Sequence, residues 1–433
     1  AKAADAALAK DETWGPFHGV PATMKESFDV EGEITTVGVP DLKDNHATAD
    51  AETTRRLRNA GAIILGKTNV PLMLMDVQSY NSIYGTTNNP WDLTRTPGGS
   101  TGGGAASLAA GFNYLVVGSD IGGSIRTPSH FCGVYGHKPT INLVSQIGHH
   151  PPMPGEPFGS PPELPVAGPL ARSAEDLMAL MKILGGPSGY DARAYSWQLP
   201  APRKKSLKEY KVGFMIDDSF CPVVPEQKEV LKNAIAALEK AGVTVVEGWP
   251  KGVNPVEQIK TYLFMLLATL PPLPPIAPKV YEDYAKSLGH PVPIDLPEIV
   301  ARAGKAVHKQ YQAAQAERWL AREAWESFFK DFDVFLMPTD FVNAFPHDQS
   351  FQMARTLKTS LGVRPYFDLL SWISFATMTG NPATVAPVGL TSEGLPTGMQ
   401  ILGPYLEDAT TIDFAAKMAE VVGGFTPPPK YGA

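Results

Sequence analysis

Short apolar runs alternate along this chain with longer stretches of helical period. Four runs, GAIILGK (Gly61–Lys67), YLVVGS (Tyr114–Ser119), KVGFMID (Lys211–Asp217) and DVFLMP (Asp333–Pro338), read as buried strands. Between Pro225 and Val246, the residues Val230, Leu231, Ala234, Ile235, Leu238 and Ala241 keep one apolar face at helical spacing. Gly242 then stops the helix and VTVV resumes a strand, which makes one βαβ unit. The alternation predicts an α/β fold with a largely parallel or mixed buried sheet.

Glycine and proline crowd Gly148–Pro169, and prolines crowd Leu270–Pro297, so both segments are expected to be loops. The most apolar stretch, TYLFMLLATLPPLPPIAP (Thr261–Pro278), has an unbroken apolar part of about ten residues, too short for a membrane helix. It is either a wall over an apolar substrate or a core helix that ends at the prolines. Neither an internal repeat nor a long polar linker divides the chain, so one domain with inserted loops and helices is expected over residues 1–433.

Composition changes this picture only by exclusion. The 433 residues are 43% hydrophobic and 19% charged, as in a packed globular protein, and a net charge of -7 without a basic stripe argues against nucleic acid as a partner. Cys132 and Cys221 show neither a zinc spacing nor a disulfide framework, so no metal is expected and a reducing, cytoplasmic setting fits. The opening AKAADAALAK reads as the tail of a helix whose start lies upstream, where a signal peptide would go unseen.

Two serines sit in glycine clusters. In TPGGSTGGGAASLAAG (Thr96–Gly111), Gly98–Gly102 matches G-x-S-x-G, but WDLTRTP in front of it is turn-like and supplies no strand for a nucleophile elbow. No Gly-Lys-Ser/Thr follows, so it is not a phosphate loop either. In DIGGSIRTP (Asp120–Pro128) the strand does precede the serine, and Gly122 and Gly123 permit a turn whose N–H groups converge on one point. Such a turn can hold an oxyanion beside Ser124, or be a plain Gly-Gly turn with a capping serine. None of the nine histidines stands in a recognisable catalytic context; His149 and His150 fall in the Pro-rich loop, and a Ser-His-Asp arrangement stays open. A lysine is the other candidate base: Lys25 follows the apolar-leaning GVPATM, where burial would lower its pKa.

Three segments together, GVPATMKESFDVEG, TPGGSTGGGAASLAAG and GSDIGGSIRTPSHFCGVYGHKPT, with 24 positions from Ser100 to Ser124, resemble the amidase signature family of serine hydrolases. The matches GAIILGKTNVPLMLMDVQSYNSIYGTTNNPWD, PVAGPLARSAEDLMALMKIL and TGNPATVAPVGLTSEGLPTGMQILG extend the likeness over most of the chain. The resemblance implies a mixed central β-sheet flanked by α-helices on both faces. A signature core would run over about 15–185, an inserted helical and Pro-rich region over about 250–330, and the rest of the core over about 331–425.

By the same resemblance Ser124 is the nucleophile, Ser100 a bridging serine on a cis peptide after Gly99, and Lys25 the ultimate base. Ile121, Gly122, Gly123 and Ser124 offer backbone N–H groups to the oxyanion, and Asp120 and Arg126 brace the loop. No cofactor is implied. For that role the Lys25 pKa must fall from about 10.4 to roughly 8, and an ion pair with Glu26 or Asp29 would prevent it. One departure is Thr101, where the family commonly has a second serine, followed by Gly104 where a larger or polar residue is common; an altered hydrogen-bond network around Ser100 is expected.

The implied activity is hydrolysis of a small amide, ester or carbamate by water, in a monomer or homodimer without a membrane span. MDVQSYNSIYG lacks the GSSxE-type segment of the amidotransferase branch that feeds ammonia to a tRNA-bound substrate, which favours a stand-alone amidase. Met73, Met75, Tyr262, Phe264, Met265 and Leu266 lean towards an apolar or aromatic substrate, or are ordinary core. A binding protein that has kept the fold without the chemistry is the non-enzymatic alternative.

Overall fold

The computed structural model describes residues 1–151, 163–270, 278–289 and 292–431. Ten strands form one sheet: β1 (Pro21–Lys25), β2 (Ile63–Thr68), β3 (Leu115–Asp120), β4 (Tyr135–Lys138), β5 (Val166–Ala171), β6 (Lys211–Phe214), β7 (Thr244–Glu247), β8 (Val334–Pro338), β9 (Ala383–Leu390) and β10 (Pro396–Leu402). Their order is β2-β1-β3-β5-β4-β9-β10-β8-β6-β7. Both ends of the sheet pair in parallel, and the middle, from β3 across to β8, is antiparallel. The sheet is therefore mixed. The four strands read from apolar runs are β2, β3, β6 and β8, and the βαβ unit is β6, the helix Pro225–Lys240 and β7.

Every residue of β3, β5 and β8 is buried, so both faces of the sheet are covered. On β9, Thr384 meets Thr411 of the helix Asp408–Val422 at 2.9 Å. The next residue, Val385, lies on the other face, near His130 of the helix Arg126–Cys132, because successive strand residues point to opposite sides.

Two loop expectations are corrected. Val166–Pro169, the end of the Gly/Pro-rich segment, belongs to β5, where full burial between the sheet's faces outweighs the composition; residues 152–162 of that segment lie outside the described residues. Within Leu270–Pro297 the chain forms a helix over Pro278–Leu288, and another begins at Leu296. Pro278 and Pro297 stand at the first turns of these helices, where a missing N–H breaks no bond, and 279–288 contains no proline. The apolar stretch begins as the end of the helix Pro255–Thr269, which Asn254 caps by accepting from Glu257 N–H at 3.3 Å, and its residues 271–277, like 290 and 291, lie outside the described residues. Among the described residues no helix is long and apolar enough to cross a membrane.

Candidate active site

Neighbouring parallel strands bring the first two candidates together. The register Met24↔Val117 between β1 and β3 puts Lys25, at the end of β1, level with the last residues of β3. There the Lys25 ammonium nitrogen lies 3.0 Å from Ser119 Oγ and 3.4 Å from Ser119 O. Its shortest contact is with Ser100 Oγ, at 2.6 Å. Lys25 is wholly buried, and burial lowers its pKa from 10.5 to about 7, against the attraction of Asp120 for the charged form. Among the described residues it forms no ion pair. Glu26 turns away to accept from Thr36 N–H and Val37 N–H, and Asp29 accepts from Thr35.

The Gly99–Ser100 peptide is cis. Gly99 is packed against backbone: a Cβ there would sit 2.6 Å from Asp76 O and 2.7 Å from Gln78 N. Gly99→Ala is therefore expected to cost about 1–3 kcal/mol, because neither contact can rotate away. Displacing Ser100 should also slow turnover on the order of 100-fold. A denaturant midpoint and an activity assay on the same variant check both. The glycines that follow serve close packing as well, since a Cβ at Gly103 would meet the Asn69 backbone at 2.6 Å. They open the helix Gly102–Ala109.

Thr101 donates its N–H to Ser124 O at 3.1 Å and its hydroxyl to Ser119 O at 3.3 Å, so it ties the two serine loops together. Its methyl fills the space that side chains at Gly104 and Gly118 would need, at 3.2 and 2.6 Å from their Cβ positions. Thr101 and Gly104 thus form one packing unit.

Ser124 stands in the turn between β3 and the helix Arg126–Cys132. Asp120 organises this turn: its carboxylate accepts from the N–H groups of Gly123 at 3.0 Å, Ile125 at 3.0 Å and Arg126 at 3.3 Å. Gly123 adopts φ +85°, which a side chain would resist. The Arg126 guanidinium closes on the same carboxylate at 2.7 and 3.0 Å. Its remaining hydrogens go to Ile373 O, Gln400 Oε1 and Thr377 Oγ1. Burial pushes the Asp120 carboxyl up, but Arg126 and the backbone donors hold it below the usual carboxylate range. Tyr262 donates its hydroxyl to Ile121 O at 2.8 Å and supports the turn from the far side.

Ser100 and Ser124 line a cavity of about 270 Å³. Its other walls include Met73, Met75, Leu263, Leu266, Leu267, Leu270, Met353, Phe367 and Leu370. The described part of the apolar stretch, Thr261–Leu270, is thus both cavity wall and core. Leu266 faces the cavity, while Phe264 and Met265 are buried in the core.

Reasoning from sequence missed Ser119 and His149. His149 Nε2 lies 2.9 Å from Ser119 Oγ, which places a histidine one hydroxyl away from Lys25. No local pattern marks it, since a bridge to Phe28 brings it in. The buried His-Asp pair that a triad search looks for also exists, as His137 Nε2 to Asp408 Oδ1 at 3.0 Å. Its other ring nitrogen meets Thr384 Oγ1, so this pair fastens β4 to β9 and the last helix. Cys132 and Cys221 are free, buried thiols, and burial raises both pKa values. Among the described residues no three His, Cys, Asp or Glu side chains group closely enough to hold a metal.

The model of the Amidase family matches residues 1–412. An acylamidase of Rhodococcus erythropolis is 33% identical over 418 residues, covering 95% of this chain and 83% of the relative. A glutamyl-tRNA(Gln) amidotransferase chain of Moorella thermoacetica is 32% identical over 445 residues, covering 96% and 85%. The structure of a bacterial aryl acylamidase shares the fold, with a TM-score of 0.77 at 22% identity, over 99% of this chain and 87% of that one.

Proposed function

This chain belongs to the Amidase family, that of the amidase signature hydrolases acting on amides, and from that premise we propose that it cleaves carboxylic amide C–N bonds through Ser124, Ser100 and Lys25. The observation that carries this reading is the 2.6 Å contact of a wholly buried Lys25 with Ser100, on the wall of a cavity that Ser124 also lines. A lysine with its pKa near 7 is substantially neutral at physiological pH and can act as a base.

In the proposed relay, Ser124 Oγ attacks the carbonyl carbon while its proton passes to Ser100 Oγ and the Ser100 proton passes to Lys25 Nζ. The N–H groups of Ile121, Gly122 and Ser124 face the resulting oxyanion. Gly123 N–H is engaged by Asp120, so this glycine supplies the turn in the present reading, a change from the four-donor expectation. Collapse breaks the C–N bond, and the proton returns from Lys25 through Ser100 to the leaving amine. Water then takes the same route: it attacks the acyl-enzyme, yields the carboxylic acid and restores Ser124. Esters and carbamates present the same carbonyl to the same groups.

The cavity supports an apolar acyl group and a stand-alone amidase. Among the described residues its one charged wall residue besides the braced Asp120 is Asp76, whose carboxylate is taken up by Arg355 at 2.9 Å and by the hydroxyls of Tyr80 and Tyr366. A glutamine side chain would find no free charged partner among the described walls and mostly apolar neighbours. With a series of acyl 4-nitroanilides, kcat/KM is expected to rise about fourfold per added methylene until the cavity is filled. Ser124→Ala should abolish this hydrolysis and the labelling by a fluorophosphonate probe. Turnover persisting in Ser124→Ala would overturn the nucleophile, and a preference for acetyl or glutaminyl over longer acyl groups would overturn the apolar reading.

A further inference from the structure

We propose that His149 is a positioning residue that acts through the Ser119 hydroxyl to aim the Lys25 lone pair at Ser100. The inference rests on the relay proposed above. Three contacts run in series: His149 Nε2 to Ser119 Oγ at 2.9 Å, Ser119 Oγ to Lys25 Nζ at 3.0 Å, and Lys25 Nζ to Ser100 Oγ at 2.6 Å. The imidazole is firmly placed. His149 bridges to Phe28, its ring centroid lies 4.5 Å from the Phe28 ring, and the flanking bonds Asp29 N–H to Gly148 O and His150 N–H to Ser27 O pin residues 148–150 along the segment that leaves Lys25.

Hydrogen-bond counting gives the series its direction. A neutral lysine has two N–H donors and one lone pair, and a base in this relay needs that lone pair on the Ser100 hydroxyl. The two N–H groups then go to Ser119 O and Ser119 Oγ, the remaining acceptors in reach among the described residues. Ser119 Oγ can accept from Lys25 in this way only if its own hydrogen points elsewhere, and His149 Nε2 is there to accept it. An imidazole carrying its proton on Nδ1 completes the set. If Nε2 were protonated or absent, the Ser119 hydrogen would be free to turn onto the Lys25 lone pair and compete with Ser100.

Burial above all keeps the ring neutral. Burial, with Lys25 and His150 nearby, holds the His149 pKa well below the usual imidazole value. The carboxylates of this region are occupied, Asp29 by His150 and Thr35 and Asp120 by Arg126.

The test is a pH–rate profile on an acyl 4-nitroanilide for the wild type, His149→Phe and His149→Gln. Phenylalanine keeps a ring beside Phe28 but cannot accept. We expect kcat to fall on the order of 100-fold with KM little changed. The acidic limb should also move to lower pH, because the turned Ser119 hydroxyl stabilises neutral Lys25. Glutamine can place its amide oxygen near the Nε2 position and should recover most of the lost rate. His149→Leu gives the same reading if the phenylalanine variant does not fold. A merely structural role predicts the opposite limb: water entering beside Lys25 would raise its pKa, and glutamine would not rescue. That result, or an unchanged kcat in His149→Phe, overturns the inference. Lys25→Ala separates the two levels. Turnover persisting there removes the relay and this inference with it, whereas an inactive Lys25→Ala beside an unaffected His149→Phe removes the inference alone.

Discussion

Replacing Lys25 by methionine is expected to abolish amide hydrolysis and to make the protein more stable at neutral pH. Loss of activity follows from loss of the base, and in the wild type the rate should rise with pH through about 7 as Lys25 loses its proton. The gain in stability follows from where the protons sit. Lys25 has its pKa near 10.5 in the unfolded chain and about 7 when folded, so between these values the unfolded chain binds more protons. Wild-type stability therefore increases as pH rises from 7 towards 10.5, and burying this side chain at pH 7 costs on the order of 4 kcal/mol. Methionine has similar reach and no charge, and forgoes only the bonds to Ser100 and Ser119. Urea unfolding at pH 7 and pH 9.5 should show the variant ahead by a few kcal/mol at the lower pH, with the gap closing by about 3 kcal/mol at the higher. A gap that does not change with pH would mean that Lys25 is charged in the folded protein, which would remove it as the base.

Arg126→Met should have the largest effect of the opposite sign. It leaves the Asp120 carboxylate in the interior with backbone donors but no cation, and it frees Ile373 O, Gln400 Oε1 and Thr377 Oγ1. Breaking a buried pair from one side typically costs about 3–5 kcal/mol. The damage also reaches the chemistry, because the Asp120 carboxylate that organises the Ser124 turn loses its counter-charge. Denaturant midpoints of Arg126→Met, Asp120→Asn and the double variant form a cycle in which the double should be less destabilised than the sum of the singles. A loss below about 1 kcal/mol in Arg126→Met would show that Asp120 is held adequately by backbone N–H groups alone.

The parts of the site that were legible in the sequence are those with a local cause. Ser124 was visible because a strand runs directly into a Gly-Gly turn, and the structure has that strand, the turn with Gly123 at positive φ, and a helix after it. Lys25 was plausible because an apolar segment ends on it, and it lies at the end of β1. The effect of Thr101 is not legible locally, since its methyl and the missing side chains of Gly104 and Gly118 meet across two elements. His149 is hidden in the sequence for the same reason: its neighbours Phe28 and Ser119 lie far away along the chain, and a Pro-rich surrounding says nothing of where a loop is pinned.

The loop expectations failed in an instructive way. Composition made Gly148–Pro169 and Leu270–Pro297 irregular throughout, yet β5 begins inside the first and a helix fills part of the second. Proline excludes a helix only where its missing N–H would have been bonded, and a first turn has no such bond to lose.

By itself the sequence determined the α/β alternation, the two glycine-flanked serines and the apolar character of the residues that line the cavity, because periodicity and turn chemistry act over a few neighbouring residues. Only the tertiary structure decided which of these meet. The parallel pairing of β1 with β3 sets Lys25 beside Ser119 and Ser100 and buries it, and that burial lowers its pKa. Charge, pKa and reach depend on what surrounds a group in space, and β1 and β3 are neighbours only once the sheet has formed.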